Sequence, residues 1–282
     1  MSYMDRIRAC AQVEPERYIP FLVGDAVVGG ISHDFVTHLE PFSDTFSVNR
    51  NAISLVDRLN TYAARTTAMA GVLDELNKQG LVPGWRDEPY PAGVSFTTPA
   101  LFEMERAAVP LFGVKGYGVH MNGYVRDGEQ SKIWVGKRSL TKPTGPGKLD
   151  QIVAGGQPAG MSLRDNLIKE CAEEADIPAA LATKAVPVGT ISYVTSRTEG
   201  LRDDILFNFD LLLPSDFTPV NTDGEVDEFY LWPIEKICET ICETDNFKFN
   251  AALVVIDFLV RHGHIEADHP DYADIVAGLH RT

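Results

Sequence analysis

Apolar and polar positions alternate through GVHMNGYVR (118–126) and again through SKIWVGKRS (131–139), a period of two that predicts half-buried strands joined by the turn RDGEQ. Further strands are expected near 186–195 and 203–213, separated by the polar bend SRTEGLRDD, with a last strand near 226–231 leading to Trp232 and Pro233. Helical patterns over 233–243 and 248–262 follow, and the tail after Gly263 reads as loop with one short helix. Earlier in the chain, YIPFLVGDAVVGGIS (18–32) predicts a hairpin turning at Gly24 and Asp25, and HDFVTHLEPF a short helix. A helix is expected over roughly 55–79, ending at Gly80, and another over 99–108, after the turn-rich GWRDEPYPAGVSF. No repeat or low-complexity segment interrupts this order. The pattern is mixed α/β, strand-rich in its second half.

One helix stands out. DQIVAGG predicts a short strand ending in a glycine pair, and MSLRDNLIKECAEEADI follows it. Ser162 is placed to cap the helix, with Asp165 three residues on. At about 100° per residue, Glu170, Glu173 and Glu174 fall within an arc of roughly 100°. Met161, Ile168, Cys171, Ala172 and Ala175 lie opposite, as a packing face, with Leu163 and Leu167 nearer the acids. Carboxylates one turn apart repel, and near a helix C-terminus they oppose the macrodipole. A divalent cation such as Mg²⁺ or Mn²⁺, which takes hard oxygen ligands, would compensate both effects. Charge spacing alone favours a solvated acidic face, since the chain carries a net charge of −15.

That charge argues against a large nucleic-acid surface. It is unevenly spread: from Arg126 to Lys148 six basic residues (126, 132, 137, 138, 142, 148) meet two acids (127, 129), just before the glutamate helix. The loop TKPTGPGK (141–148) within this strip is not a phosphate-binding loop, because no Ser or Thr follows the lysine and no helix follows directly. Cys10, Cys171, Cys238 and Cys242 lack disulfide or zinc spacing, and His262, His264 and His269 read as loop histidines. No apolar run approaches the ~20 residues of a membrane helix, and the start lacks a secretory core, so a cytoplasmic protein without membrane partners is expected.

The order of residues from Gly155 to Ile177 resembles the Nudix box, G-x5-E-x7-R-E-U-x-E-E-x-G-U with U apolar. Gly155, Glu170, Cys171, Glu173, Glu174 and Ile177 match; Met161, Lys169 and Asp176 replace the first glutamate, the arginine and the last glycine. The resemblance extends through ERAAVPLFGV, GYGVHMNGYV, KIWVGKRS, DGEVDEFYLWP and FKFNAALVVIDFLVRHG to the Nudix subfamily related to a fusion partner of plant and fungal thiamin pyrophosphokinases. It implies a Nudix-type α/β/α sandwich over 115–282, preceded by a separate α+β accessory domain over 1–114 that closes over the site, pairs subunits as a homodimer or supports the fold. It also implies metal-dependent hydrolysis of a small-molecule diphosphate, thiamin diphosphate and its oxidised or deaminated analogues, with Glu170, Glu173 and Glu174 as catalytic metal ligands. Glu225 or Glu228 in DGEVDEF is the expected further base or ligand. Arg138 and Lys148, with Lys137 behind them, are the candidates for phosphate, and His120 and Asn122 for the organic half, with Trp134 and Tyr193 as rings that either stack on it or belong to the core. Two alternatives stand beside this reading: a Nudix enzyme for another diphosphate-linked substrate, and a sensor that binds without cleaving.

Overall fold

The computed structural model describes residues 1–128 and 130–280. Glu129, counted in the basic strip, lies outside them. The chain opens with α1 (Tyr3–Ala9), and the hairpin expected at 18–32 forms as β1 (Tyr18–Val23) and β2 (Ala26–Ser32), followed by α2 (His33–Val36). β3 (Phe46–Val48) and β4 (Ile53–Leu55) complete a sheet of order β2-β1-β4-β3. The helix expected from residue 55 begins later, as α3 (Tyr62–Lys78), because Ile53–Leu55 is drawn into the sheet and the hydroxyl of Thr61 caps the Ala64 amide. β5 (Pro89–Ala92) and β6 (Phe102–Glu105) form a second hairpin. That overturns the helix expected over 99–108: Phe102 and Met104 alternate into the core, and helical turns begin only at Arg106, ending in α4 (Val109–Phe112).

β7 (Lys115–Asp127) is the centre of a larger sheet. β8 (Gln130–Arg138) pairs with it antiparallel, and β9 (Leu149–Gln151) and β10 (Val153–Gly156) attach to β8 and β7. After α5 (Leu163–Ala175) and α6 (Ala179–Ala182) come β11 (Val186–Arg197) and β12 (Gly200–Leu212). Strand pairing runs through most of the expected bend SRTEGLRDD and leaves a tight hairpin turn. β13 (Val226–Pro233), α7 (Ile234–Glu243), α8 (Phe249–Arg261) and α9 (Tyr272–Leu279) close the chain. The sheet path is β11-β12-β7-β8-β13.

Alternation along β7 assigns the two faces. Val119, Met121 and Val125 pack with Leu167, Cys171 and Ala175 of α5. Tyr124, with Ile133 and Val135 of β8, packs with α7, α8 and α9 on the other face. The sheet is therefore covered on both sides, an α/β/α sandwich. Residues 19–114 share their own core around Phe21 and Phe112, whereas Met4 and Ile7 of α1, and Cys10 just after it, join the core of α8 and α9. Among the described residues no helix is long and apolar enough to cross a membrane.

Candidate active site

The glycine pair that ends β10 delivers the chain to α5 through a short loop held by buried side chains. Asn166 donates to the carbonyl of Gly156 (2.8 Å) and to Gln157 (3.1 Å), and Gln157 donates to the carbonyl of Met161 (2.7 Å). Ser162 caps α5 by accepting from the Asp165 amide at 3.1 Å. The buried stripe of the helix is Leu167, Cys171, Glu174 and Ala175, so the helix is rotated from the expected orientation. Ala172 is exposed, and Met161 is exposed as well. The bulk of Leu167, repeated one turn on by Cys171 and again by Ala175, decides which face packs, and it carries two of the carboxylates inward.

Glu174 is almost fully buried, and its carboxylate accepts from the Ala154 amide at 2.7 Å. Burial, and after it the charge of Glu170, raises its proton affinity well above that of an ordinary glutamate. Glu170 is raised in the same direction by burial, although Lys169 beside it works the other way. Its side chain lies flat on Gly155: a Cβ there would stand 2.2 Å from the Glu170 carboxyl carbon. Lys169 bridges Glu170 (3.2 Å) and Glu173 (2.6 Å). A protein cation thus occupies part of the position where the three carboxylates concentrate negative charge. Among the described residues no group of three donor side chains stands in metal-binding geometry. The donor set suits a divalent cation nonetheless: hard carboxylate oxygens, one of them buried with a backbone N–H against its charge.

The helix end brings a second segment to this cluster. The C-terminal carbonyls of α5 are taken up by the loop before β13: the Val220 amide donates to Ala175 (3.2 Å), and the Thr222 amide (3.2 Å) and hydroxyl (2.6 Å) donate to Glu173. Three residues on, Glu225 lies near enough for its charge to raise Glu174 further. Glu228, the other candidate, is exposed on β13 and engaged by Lys137 at 3.5 Å and by the Tyr230 hydroxyl. Only Glu225 joins the cluster.

The remaining predicted contacts go elsewhere. Arg138 is buried, and its guanidinium holds Asp150 at 2.9 Å and the carbonyls of Thr144 and Gly145. It is the anchor of the 139–148 loop, not a free phosphate ligand. Lys148 turns to Asp245 at 3.0 Å. His120 and Asn122 project from β7 to the α8 face, opposite α5; His120 bonds Gln151 at 2.7 Å and Asn122 bonds Asp210 at 3.1 Å. Both are buried, so neither reaches a substrate beside the glutamates. Trp134 and Tyr193 are core residues, the Tyr193 hydroxyl donating to Asp204 at 2.5 Å. Period-two alternation on a sheet covered on both sides cannot distinguish a polar residue in a site from one satisfied in the core, which is why His120 and Asn122 misled, whereas for Trp134 and Tyr193 the core alternative holds.

Residues from the N-terminal part, for which no motif spoke, stand close to the cluster instead. Arg86 pairs with Glu225 at 3.2 Å. Arg106 pairs with Glu88 at 2.8 Å, lies 5.5 Å over the Tyr90 ring, and contributes its positive charge at Glu170. The Tyr90 hydroxyl, buried without a hydrogen-bond partner among the described residues, abuts Gly156 so closely that a Cβ there would overlap it.

Comparison with known proteins bears on both parts. Residues 2–116 match a family model described as a domain of unknown function, DUF4743. Over 290 aligned residues the chain is 44% identical to Nudix hydrolase 20, chloroplastic, of Arabidopsis thaliana, covering 99% of this chain and 77% of that protein. It is 46% identical to Nudix hydrolase 24, chloroplastic, of the same plant, covering 93% of this chain and 72% of that one. The chain belongs to the Nudix hydrolase family. Among solved structures, the Nudix domain of Shewanella oneidensis NrtR complexed with ADP ribose aligns with a TM-score of 0.41 at 13% identity, over 52% of this chain and 90% of that one.

As a Nudix hydrolase the chain cleaves a diphosphate linkage, and the departures in its Nudix box acquire local reasons. Lys169 keeps the arginine's charge and uses it on both neighbouring glutamates. Asp176 adopts the left-handed conformation (φ 51°) at the helix C-cap that the usual glycine would take without cost. Asp176→Gly is therefore expected to stabilise this Nudix protein by about 0.5–1 kcal/mol, read as a rise of about 1–4 °C in Tm. A loss of stability would mean that the aspartate side chain is needed at the turn.

On the α8 face, burial pushes Lys248 down to about 8 and His120 down to about 4. Against the burial of its own carboxylate, Lys248 and Arg138 hold Asp150 at about 2. The sign for His120 follows. Between its ordinary value of 6.5 and the folded value of about 4, the unfolded chain takes up a proton that the folded chain refuses. Stability is complete above the upper value and falls toward the lower, by on the order of 3 kcal/mol. Unfolding midpoints in denaturant measured from pH 7 to pH 4 are expected to fall less steeply in His120→Gln; parallel profiles would refute the assignment.

Proposed function

We propose that this Nudix hydrolase cleaves thiamin diphosphate and, preferentially, its oxidised or deaminated analogues to the monophosphate and phosphate. The reaction centre is the cluster of Glu170, Glu173 and Glu174, with Glu225 beside it. The observation that carries the site is the buried Glu174 carboxylate, beside the charge of Glu170 and held by the Ala154 amide. What supports the substrate is the resemblance that runs through both parts of the chain. Residues 1–114 form the accessory domain of this reading and 115–282 the hydrolase domain.

Glu170, Glu173 and Glu174 would hold Mg²⁺ or Mn²⁺, which supplies charge neutralisation on the phosphate oxygens and lowers the pKa of a bound water. The chain's own residues do the rest. The Ala154 amide keeps the Glu174 carboxylate oriented, and Gly155 leaves room for that of Glu170. Glu225 is placed to accept the proton of the attacking water once its carboxylate is free of Lys142 and Arg86. The water oxygen bonds to the terminal phosphorus, the bridging P–O bond breaks, and the monophosphate leaves with the electron pair.

The test is phosphate release from thiamin diphosphate and its oxo and oxy analogues with Mg²⁺ or Mn²⁺, with Glu173→Gln alongside. Fastest release from the damaged analogues, lost in the variant, is expected. Folded, metal-loaded protein that turns over none of them would refute the thiamin reading. A panel of other diphosphates would then separate a different Nudix substrate from a sensor.

A further inference from the structure

A cleft of about 440 Å³ opens between the N-terminal part and the sandwich, lined by Trp85 and Arg86 on one side and by Thr141, Lys142, Pro143 and Glu225 on the other, with Gly84, Asp223 and Gly224 at its edge. Its size is that of a small-molecule site. The N-terminal wall is built with care. The buried carboxylate of Glu105 accepts from the amides of Arg86 (3.0 Å), Glu88 (3.2 Å) and Ala107 (3.1 Å). Between the first two lies Asp87, in left-handed conformation (φ 56°), whose side chain accepts from the Trp85 indole at 2.6 Å. One buried carboxylate thus fixes the backbone of the turn that presents Trp85 and Arg86.

Across the cleft, Lys142 and Arg86 both bind Glu225. The Lys142 side chain is nine-tenths buried, so its ammonium has little water to exchange with. Two cations on one carboxylate, beside an aromatic ring and next to the glutamate cluster, match a phosphate ester that carries a flat ring. The carboxylates of Glu225 and Asp223 balance the two cations, which suits a diphosphate accompanied by its metal better than a free polyanion.

We propose that this cleft is the substrate pocket, and that the N-terminal part supplies Arg86 and Trp85 as substrate-binding residues: Arg86 and Lys142 take the phosphate oxygens, and Trp85 receives the ring. The inference rests on the Nudix reaction centre proposed above. Substrate phosphate replaces Glu225 on the two cations and releases that carboxylate toward Glu174. Hydrolysis therefore depends on residues 84–86 although none belongs to the Nudix box.

The experiment compares wild type, Arg86→Ala, Arg86→Lys and Trp85→Ala on whichever diphosphate the wild type cleaves, with inorganic diphosphate binding by calorimetry in parallel. A charge-assisted contact predicts a rise in KM of about 10- to 100-fold for Arg86→Ala, with partial recovery in Arg86→Lys. Trp85→Ala is expected to raise KM for ring-bearing substrates and to leave inorganic diphosphate binding unchanged. A merely structural ion pair would lower Tm and leave KM in place, and that result in folded protein overturns the proposal. If the wild type cleaves no substrate offered, the reaction reading fails while the cleft remains testable: inorganic diphosphate binding weakened at least tenfold by Arg86→Ala supports it, and equal binding refutes it.

Discussion

Glu174→Gln is expected to lose at least ~10²-fold in kcat while making the metal-free protein more stable. The two effects share one cause. Glu174 is buried beside Glu170, with Asp150 and Glu225 adding negative charge, and the Ala154 amide is the donor on the other side. A carboxylate whose proton affinity is raised by folding destabilises the native state above its ordinary pKa of 4.5, because the unfolded chain ionises more easily. Each tenfold difference in proton affinity corresponds to ~1.4 kcal/mol at pH values above both pKa values. The amide of glutamine keeps an oxygen for Ala154 and removes the charge. In chelator, the variant should melt several degrees above wild type at pH 8, at ~2–4 °C per kcal/mol, and the gap should narrow toward pH 5. Adding Mg²⁺ should raise the wild-type Tm more than that of the variant. A variant less stable than wild type at pH 8 without metal would mean that the Glu174 carboxylate is paired in the native state and not destabilising.

Gly113→Ala is expected to cost about 3–5 kcal/mol, a fall of roughly 6–20 °C in Tm. Gly113 ends α4 at φ +56°, and a Cβ there would stand 2.3 Å from the Gly30 carbonyl oxygen and 2.7 Å from its nitrogen. The approach is reciprocal: a Cβ on Gly29 would meet the Phe112 carbonyl oxygen at 2.3 Å. Backbone cannot swing aside as a side chain can, so β2 and the end of α4 must separate, and with them the packing of Phe112 on Phe21 and Phe35. Gly24 provides the control. It also has positive φ (+58°), but nothing lies within 4 Å of its Cβ position, so Gly24→Ala carries only the conformational cost of about 1 kcal/mol. Similar losses in the two variants would show that the close approach is not tight.

Much of the molecule was legible along the chain. Strand patterns located β7, β8, β11, β12 and β13, the turn at Gly24 and Asp25 located β1 and β2, and the spacing of Ser162 and Asp165 located the cap of α5. These are local properties: turn chemistry, capping and alternation act within a few residues of one another. Where a distant partner competed, local reading failed. Residues 53–55 and 102–105 became strands because β1 and β5 were there to pair with them.

The functional residues divide in the same way. Three glutamates in their box are determined by order alone, but which of them is buried depends on Leu167, Cys171 and Ala175 meeting β7. Arg138, His120 and Asn122 carry chemistry in sequence and turn out to be satisfied within the fold, because a sheet covered on both faces buries polar residues as readily as apolar ones when Asp150, Gln151 and Asp210 lie opposite. Arg86 and Glu225 are far apart in sequence and 3.2 Å apart in space. An ion pair of that separation leaves no periodicity or spacing to read. Local order along the chain determined the strands with alternation or turn chemistry, the glutamate helix and its metal-suited carboxylates; tertiary contact alone decided that 53–55 and 102–105 pair as strands and which charges face each other across the cleft.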